Sequence, residues 1–133
     1  MSENVDLVRS IYVAWERGDY SDAAWADPDI EYVTADGPSP GTSTGLAGMA
    51  ERARANLNPW ASVSIKATDY REIDAMRVLV LNRFTARGKR SGLEMGQLET
   101  NGAHLFHLDN GQVTRLVLYW DRANALADLG LKE

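Results

Sequence analysis

Between residues 62 and 120 the chain repeats one pattern: runs in which apolar and polar side chains alternate (62–71, 76–87, 93–108 and 112–120), separated only by Glu72–Ala75, Gly88–Gly92 and Asp109–Gly111. Alternation with period two is the signature of strands. Connections this short can join only antiparallel neighbours, because a parallel crossover needs a dozen residues or more. The second half of the sequence therefore predicts a four-stranded antiparallel meander. One face of such a sheet is apolar and must be covered, which the first half of the chain has to do.

The first half has the means. Residues 4–17 set Val5, Val8, Tyr12 and Trp15 at helical spacing, widened by Ile11 and Ala14, with Asn4 or Ser2 to cap the start and Gly18 to end it. Asp19 or Ser21 can cap a second, shorter helix through Ala24 and Trp25, which Pro28 stops. Ile30, Tyr32 and Thr34 then alternate as a short strand. Asp36–Gly45 consists of turn formers and predicts a loop, the mobile lip of any pocket. From Leu46 a third helix carries Leu46, Met49, Ala50, Ala53 and Leu57 on one face, with Thr44 as its cap and Asn58-Pro59 as its stop. A last helix over 122–129 ends at Gly130. Helices first and a meander afterwards give an α+β fold, with the N-terminal helices on the concave face of a curved antiparallel sheet and a pocket between them.

The 133 residues suit one domain, and their 44% hydrophobic content can form a core without covalent staples. The absence of cysteine excludes a disulfide scaffold, a thiolate metal site and a cysteine nucleophile, and fits a reducing, cytoplasmic setting. A net charge of −5 argues against a globally basic surface for nucleic acid or membrane. No apolar run approaches the roughly 18 residues of a membrane span, and MSENVDLVRS lacks the layout of a signal peptide, so the mature chain is expected to start near Met1.

The order of elements resembles the SnoaL-like branch of the NTF2-like superfamily, and particular residues carry the likeness. They are Pro28-Asp29-Ile30-Glu31-Tyr32 ahead of the Gly-rich loop, Gly45-Leu46 at the third helix, Phe106 to Val113, Tyr119-Trp120-Asp121, and Leu129-Gly130. The resemblance covers nearly the whole chain and implies a cone-shaped fold, usually a homodimer through the outer sheet face, that holds a small apolar molecule. Polyketide cyclases, ketosteroid isomerases, limonene-type epoxide hydrolases and dehydratases share it. Tyr32 and Arg83 are similar to the Tyr and Arg of the epoxide-hydrolase set. Thr34, Thr85 and Leu118 stand where that set has an Asn and two Asp. A leucine cannot move a proton, so epoxide hydrolysis is rejected.

Strand parity gives a second route to the site. A three-residue turn at Asp109-Asn110-Gly111 would pair Phe106, His104, Gly102 and Thr100 with Thr114, Leu116, Leu118 and Trp120 on the concave face. His104 then points in and His107 out, whereas a one-residue slip would reverse both. His104 is the best proton carrier by type, or else a core histidine satisfied by a carbonyl or a tyrosine. Arg83 is either an anchor for ligand oxygen or an ion-pair partner of Glu99 or Asp69. Tyr32 is a donor to the ligand or a half-buried strand aromatic. Trp15, Trp25, Trp60 and Trp120 either wall a site for a ring-shaped ligand or pack the core. Asp121 is most simply the cap of the last helix, and Asp36 a solvated loop acid or a group at the pocket mouth.

Other motifs fail on context. Gly41-Thr42-Ser43-Thr44-Gly45 spells a nucleophile elbow, but no buried strand precedes it. His104 and His107 would face opposite sides of a strand, so no metal site is expected, and no phosphate loop or dinucleotide fingerprint calls for a cofactor. Arg87-Lys89-Arg90 reads as a solvated turn. Two functions stand: a pocket for a small apolar ring-containing molecule, with cofactor-free proton transfer by His104, Arg83 and Tyr32 if it is catalytic, or a non-catalytic ligand-binding or association module. An apolar outer face made of Val78, Val80, Phe84, Val113 and Val117 would favour a dimer.

Overall fold

A computed structural model describes residues 3–19, 24–37, 40–57, 60–88 and 97–131. Helix α1 (Glu3–Glu16) is followed by strands β1 (Ala26–Thr34) and β2 (Gly41–Thr44), helix α2 (Gly45–Leu57), strands β3 (Trp60–Asp74), β4 (Arg77–Gly88), β5 (Gln97–Asp109) and β6 (Gln112–Tyr119), and helix α3 (Arg122–Leu129). The described strands form one curved sheet in the order β2-β1-β6-β5-β4-β3. The predicted α+β class and the four-stranded meander are both present. The sheet as a whole is mixed rather than antiparallel, because β1 runs parallel to β6.

Two expectations for the first half are corrected. Residues 20–23 lie outside the described residues, but Ala24 and Trp25 form a turn and Ala26 already opens β1, so no helix runs through Trp25 to Pro28. Pro28 is tolerated inside β1 because the pairing to β6 breaks register between Ala26 and Glu31, where a missing N–H does no harm. Within the expected loop, Gly41–Thr44 forms an edge strand paired with β1, from Glu31 opposite Thr44 to Thr34 opposite Gly41. Two β-branched threonines there outweigh the turn formers around them.

The β5–β6 hairpin turns on two residues and not three. Asn110 (φ 51°) and Gly111 (φ 77°) both take positive φ, and Asp109 pairs with Gln112. That alone would have turned His104 outward. A bulge intervenes, since Leu108 pairs with Val113 but His107 with Arg115, leaving Thr114 as the extra residue. The two single-residue shifts add to two, and parity is restored. His104 lies opposite Leu118 and Phe106 opposite Leu116, all on the inner face.

Both faces of the sheet are covered. On the inner side Val8, Ile11 and Tyr12 of α1 and Met49 of α2 pack against Ile30, Val78, Val80, Phe106, Val113 and Leu116. On the outer side Ala125 and Leu126 of α3 cover Leu79, Leu81, Leu105, Val117 and Tyr119. Of the residues expected to make an apolar outer face, Val78, Val80, Phe84 and Val113 belong to the inner cluster, and only Val117 faces outward. Helix α3 is bounded as the sequence predicts: the Asp121 side chain accepts from the Ala123 N–H, and Gly130 closes the helix at φ 69°.

Gly102 admits the close approach of β5 to the end of β6. A Cβ on it would lie 2.5 Å from the Tyr119 carbonyl oxygen and 3.2 Å from Asn82 Oδ1. Gly102→Ala is expected to lower stability by about 1–3 kcal/mol, as overpacking against fixed backbone does. Urea denaturation of the two proteins measures the difference.

Candidate functional site

The inner cluster does not close completely over the sheet. A cavity of about 270 Å³ remains between α1, α2 and the inner faces of β1, β4, β5 and β6. Helix α1 is pinned over it at both ends. The Asn4 side chain donates to the Ala75 carbonyl (2.9 Å), and Glu16 accepts from the Ala67 N–H (2.9 Å). Tyr12 and Trp15, three residues apart, thus face the sheet together with ring centroids 5.1 Å apart. Trp15 meets Trp25 edge-on at 6.0 Å and His104 at 5.7 Å. Trp25 is held because its carbonyl accepts from the Val113 N–H (2.8 Å). Met49, Ala50 and Ala53 of α2 supply the apolar roof, and Trp120, 6.1 Å from Phe84, closes the far wall. Gly37 permits that closure, since a Cβ there would lie 2.7 Å from the Trp120 indole.

Three polar side chains meet at one end of the cavity. The fully buried Tyr12 hydroxyl lies 2.6 Å from His104 Nδ1, and Asn82 Nδ2 donates to the same hydroxyl at 3.0 Å. Burial pushes the Tyr12 phenol well above its usual range, so it keeps its proton. Burial also lowers His104 to about 3, so the imidazole is neutral at physiological pH. Tyr32, likewise desolvated, is pushed up to about 12 although Arg52 pulls the other way. On the opposite wall the Thr34 hydroxyl is buried and has no hydrogen-bond partner among the described residues. No Asp, Glu, Lys or Arg lines the cavity among the described residues.

Of the residues singled out from sequence, Trp15, Trp25, Tyr32, Thr34, His104, Leu118 and Trp120 line this cavity. The side chain of Trp60 lies outside the described residues. Arg83 and Thr85 are corrections. Both lie on the outer face, and the Arg83 side chain is 59% exposed, 3.9 Å from Glu99. The inward assignment failed because Val78, Leu79, Val80 and Leu81 are all buried, so alternation along β4 does not say which parity is inner. Asn82 was overlooked. As the polar residue that ends this apolar run, two positions on from Val80, it was the available signal. Asp36 is half-exposed and is not among the described cavity-lining residues; its carboxylate accepts from the Trp120 N–H and from the Asn124 side chain, tying the end of β1 to the start of α3. Ser43 accepts from Arg52 Nε (2.9 Å) and has no histidine among its bonded partners.

No family model and no curated protein matches this sequence, but solved structures match it over nearly their full length. An NTF2-like protein of unknown function from Burkholderia pseudomallei is 22% identical with a TM-score of 0.76, covering 96% of this chain and 97% of that one. A putative SnoaL-like polyketide cyclase from Jannaschia sp. is 13% identical with a TM-score of 0.72 (98% and 93%). TerC, co-crystallised with polyporic acid, is 19% identical with a TM-score of 0.73 (97% and 99%). The chain has the NTF2-like fold, as its sequence resemblance implied. Identities this low carry the fold alone.

Two outcomes are expected for the buried triad. Tyr12→Phe leaves His104 Nδ1 and the Asn82 amide unpaired and costs about 2–4 kcal/mol in chemical denaturation. The second concerns pH. The His104 imidazole is harder to protonate folded than unfolded, so its contribution is complete above about pH 6.5 and is lost as pH falls toward 3. The stability difference between the wild type and His104→Gln therefore shrinks as pH drops from 6.5 to 4. A constant difference across urea melts in that range contradicts it.

Proposed function

On this NTF2-like scaffold we propose that the protein binds a small, mainly apolar, ring-containing molecule in the cavity under α1 and α2. The observation that carries the reading is a cavity walled by Trp15, Trp25, Phe84 and Trp120 in which one buried hydroxyl, that of Thr34, lacks a partner among the described residues. Flat aromatic walls favour flat ligands, and a few placed polar atoms set orientation. TerC, similar in fold, was crystallised with polyporic acid, which supports an organic small molecule as the occupant here. A cytoplasmic location belongs to the same reading and is supported by a chain without cysteine.

Binding without turnover is favoured over acid–base catalysis. Of the three groups expected to carry proton transfer, Arg83 lies on the opposite face and His104 has Nδ1 engaged by Tyr12. Tyr32 holds its proton up to about pH 12, and no carboxylate lines the cavity among the described residues to serve as base. Among the described residues no helix is long and apolar enough to cross a membrane.

A thermal-shift screen against two- and three-ring aromatics, terpenoids and steroids tests the proposal. A ligand at 100 times its dissociation constant adds about 2.7 kcal/mol, enough to raise Tm by several degrees. Leu118→Trp fills the floor of the cavity and is expected to abolish the shift while leaving the unliganded fold intact by circular dichroism. Shifts retained in that variant place binding elsewhere.

A further inference from the structure

Resting on the reading that the cavity takes a ring-containing molecule, we infer that this ligand is uncharged and presents an oxygen acceptor, above all a ring carbonyl, to the Nε2–H of His104. The argument begins at the Tyr12 hydroxyl. Asn82 faces it with its amide N–H, so among the described residues His104 Nδ1, 2.6 Å away, is the acceptor left for the buried Tyr12 proton, and we assign the proton there. A neutral imidazole that accepts at Nδ1 carries its own hydrogen on Nε2. His104 lines the cavity, and among the described residues no hydrogen bond is formed by Nε2. The His104 ring thereby offers the cavity a donor. The charged and titratable groups around the triad are Glu16 on α1, Tyr70 on β3 and Tyr32 on β1, none of which bonds to the ring.

Register supplies the orientation. Thr34 lies opposite Leu118, and Leu118 opposite His104, so the three form one row across β1, β6 and β5. Neighbouring strands are spaced so that the ends of this row are about 10 Å apart at Cα. A flat ring resting on Leu118 turns one edge to His104 and the other to the unpartnered Thr34 hydroxyl. A cationic amine finds no carboxylate and a carboxylate finds no cation, because the described lining carries neither charge.

The test uses the whole chain, uniformly ¹⁵N-labelled, with the two-ring aryl ketone tetralone and its hydrocarbon counterpart tetralin as probes. A long-range ¹H–¹⁵N spectrum is expected to show a pyrrole-type Nε2 and a pyridine-type Nδ1 for His104. The reverse pattern overturns the inference without any ligand. In titrations followed by backbone shifts, tetralone is expected to bind about tenfold more tightly than tetralin, one well-placed hydrogen bond. In His104→Phe that preference disappears, and a tenfold preference kept in that variant overturns the donor assignment. Equal binding of the two probes to the wild type leaves the cavity reading in place and overturns the donor assignment. Binding of neither overturns the ring-ligand reading and this inference with it.

Discussion

The Tyr12 hydroxyl is the point on which the interior depends. Thr34, Asn82 and His104 are the buried polar side chains of the described core, and two of the three bond to that single oxygen. Buried polar groups left unpaired cost more than their bonds return, so the triad is stable only when all three members are in place. This demand fixes α1 relative to β4 and β5 more sharply than apolar contact between Val8, Ile11 and the sheet, which tolerates sliding. The Asn4 and Glu16 bonds to β3 and its turn hold the helix where Tyr12 can serve both partners. Gly102, opposite Asn82, leaves room for the amide and for the carbonyl of Tyr119.

Much of this architecture was legible in the sequence, and the parts that were not have identifiable physical causes. Helices with one apolar stripe and clear ends, such as 4–17 and 122–129, match α1 and α3 to within a residue or two. The side of β5 on which His104 lies was reached through a register wrong by two, because a shorter turn and a bulge at Thr114 offset each other. No local pattern announces such a pair. Along β4 the alternation is lost for a different reason. With α1 on one side and α3 on the other, both faces want apolar residues, so Arg83 could be assigned inward by analogy when only a lone polar residue, Asn82, marked the true inner parity.

The lining changes what chemistry the site supports. A sequence view collected a histidine, an arginine and a tyrosine and read them as proton-transfer machinery. In the fold the arginine leaves the set, and burial holds the remaining two in their neutral forms. What is left is a set of fixed dipoles inside aromatic walls. Such a set suits recognition and orientation of a molecule, which is the reading proposed above, and among the described residues no carboxylate lines the cavity.

Fold and recognition are therefore joined through one proton. In the proposed arrangement the buried Tyr12 hydrogen has His104 Nδ1 as its acceptor among the described residues, and that pairing favours the imidazole tautomer with its hydrogen on Nε2. The interaction that stabilises the core on the Nδ1 side dictates the polarity offered to the cavity on the Nε2 side. A histidine in an open cleft would adapt to donor or acceptor ligands by shifting its hydrogen at little cost. Here such a shift would reverse the Tyr12–His104 bond and leave the buried Tyr12 proton without an acceptor among the described residues, so the proposed preference for an acceptor is tied to the stability of the core.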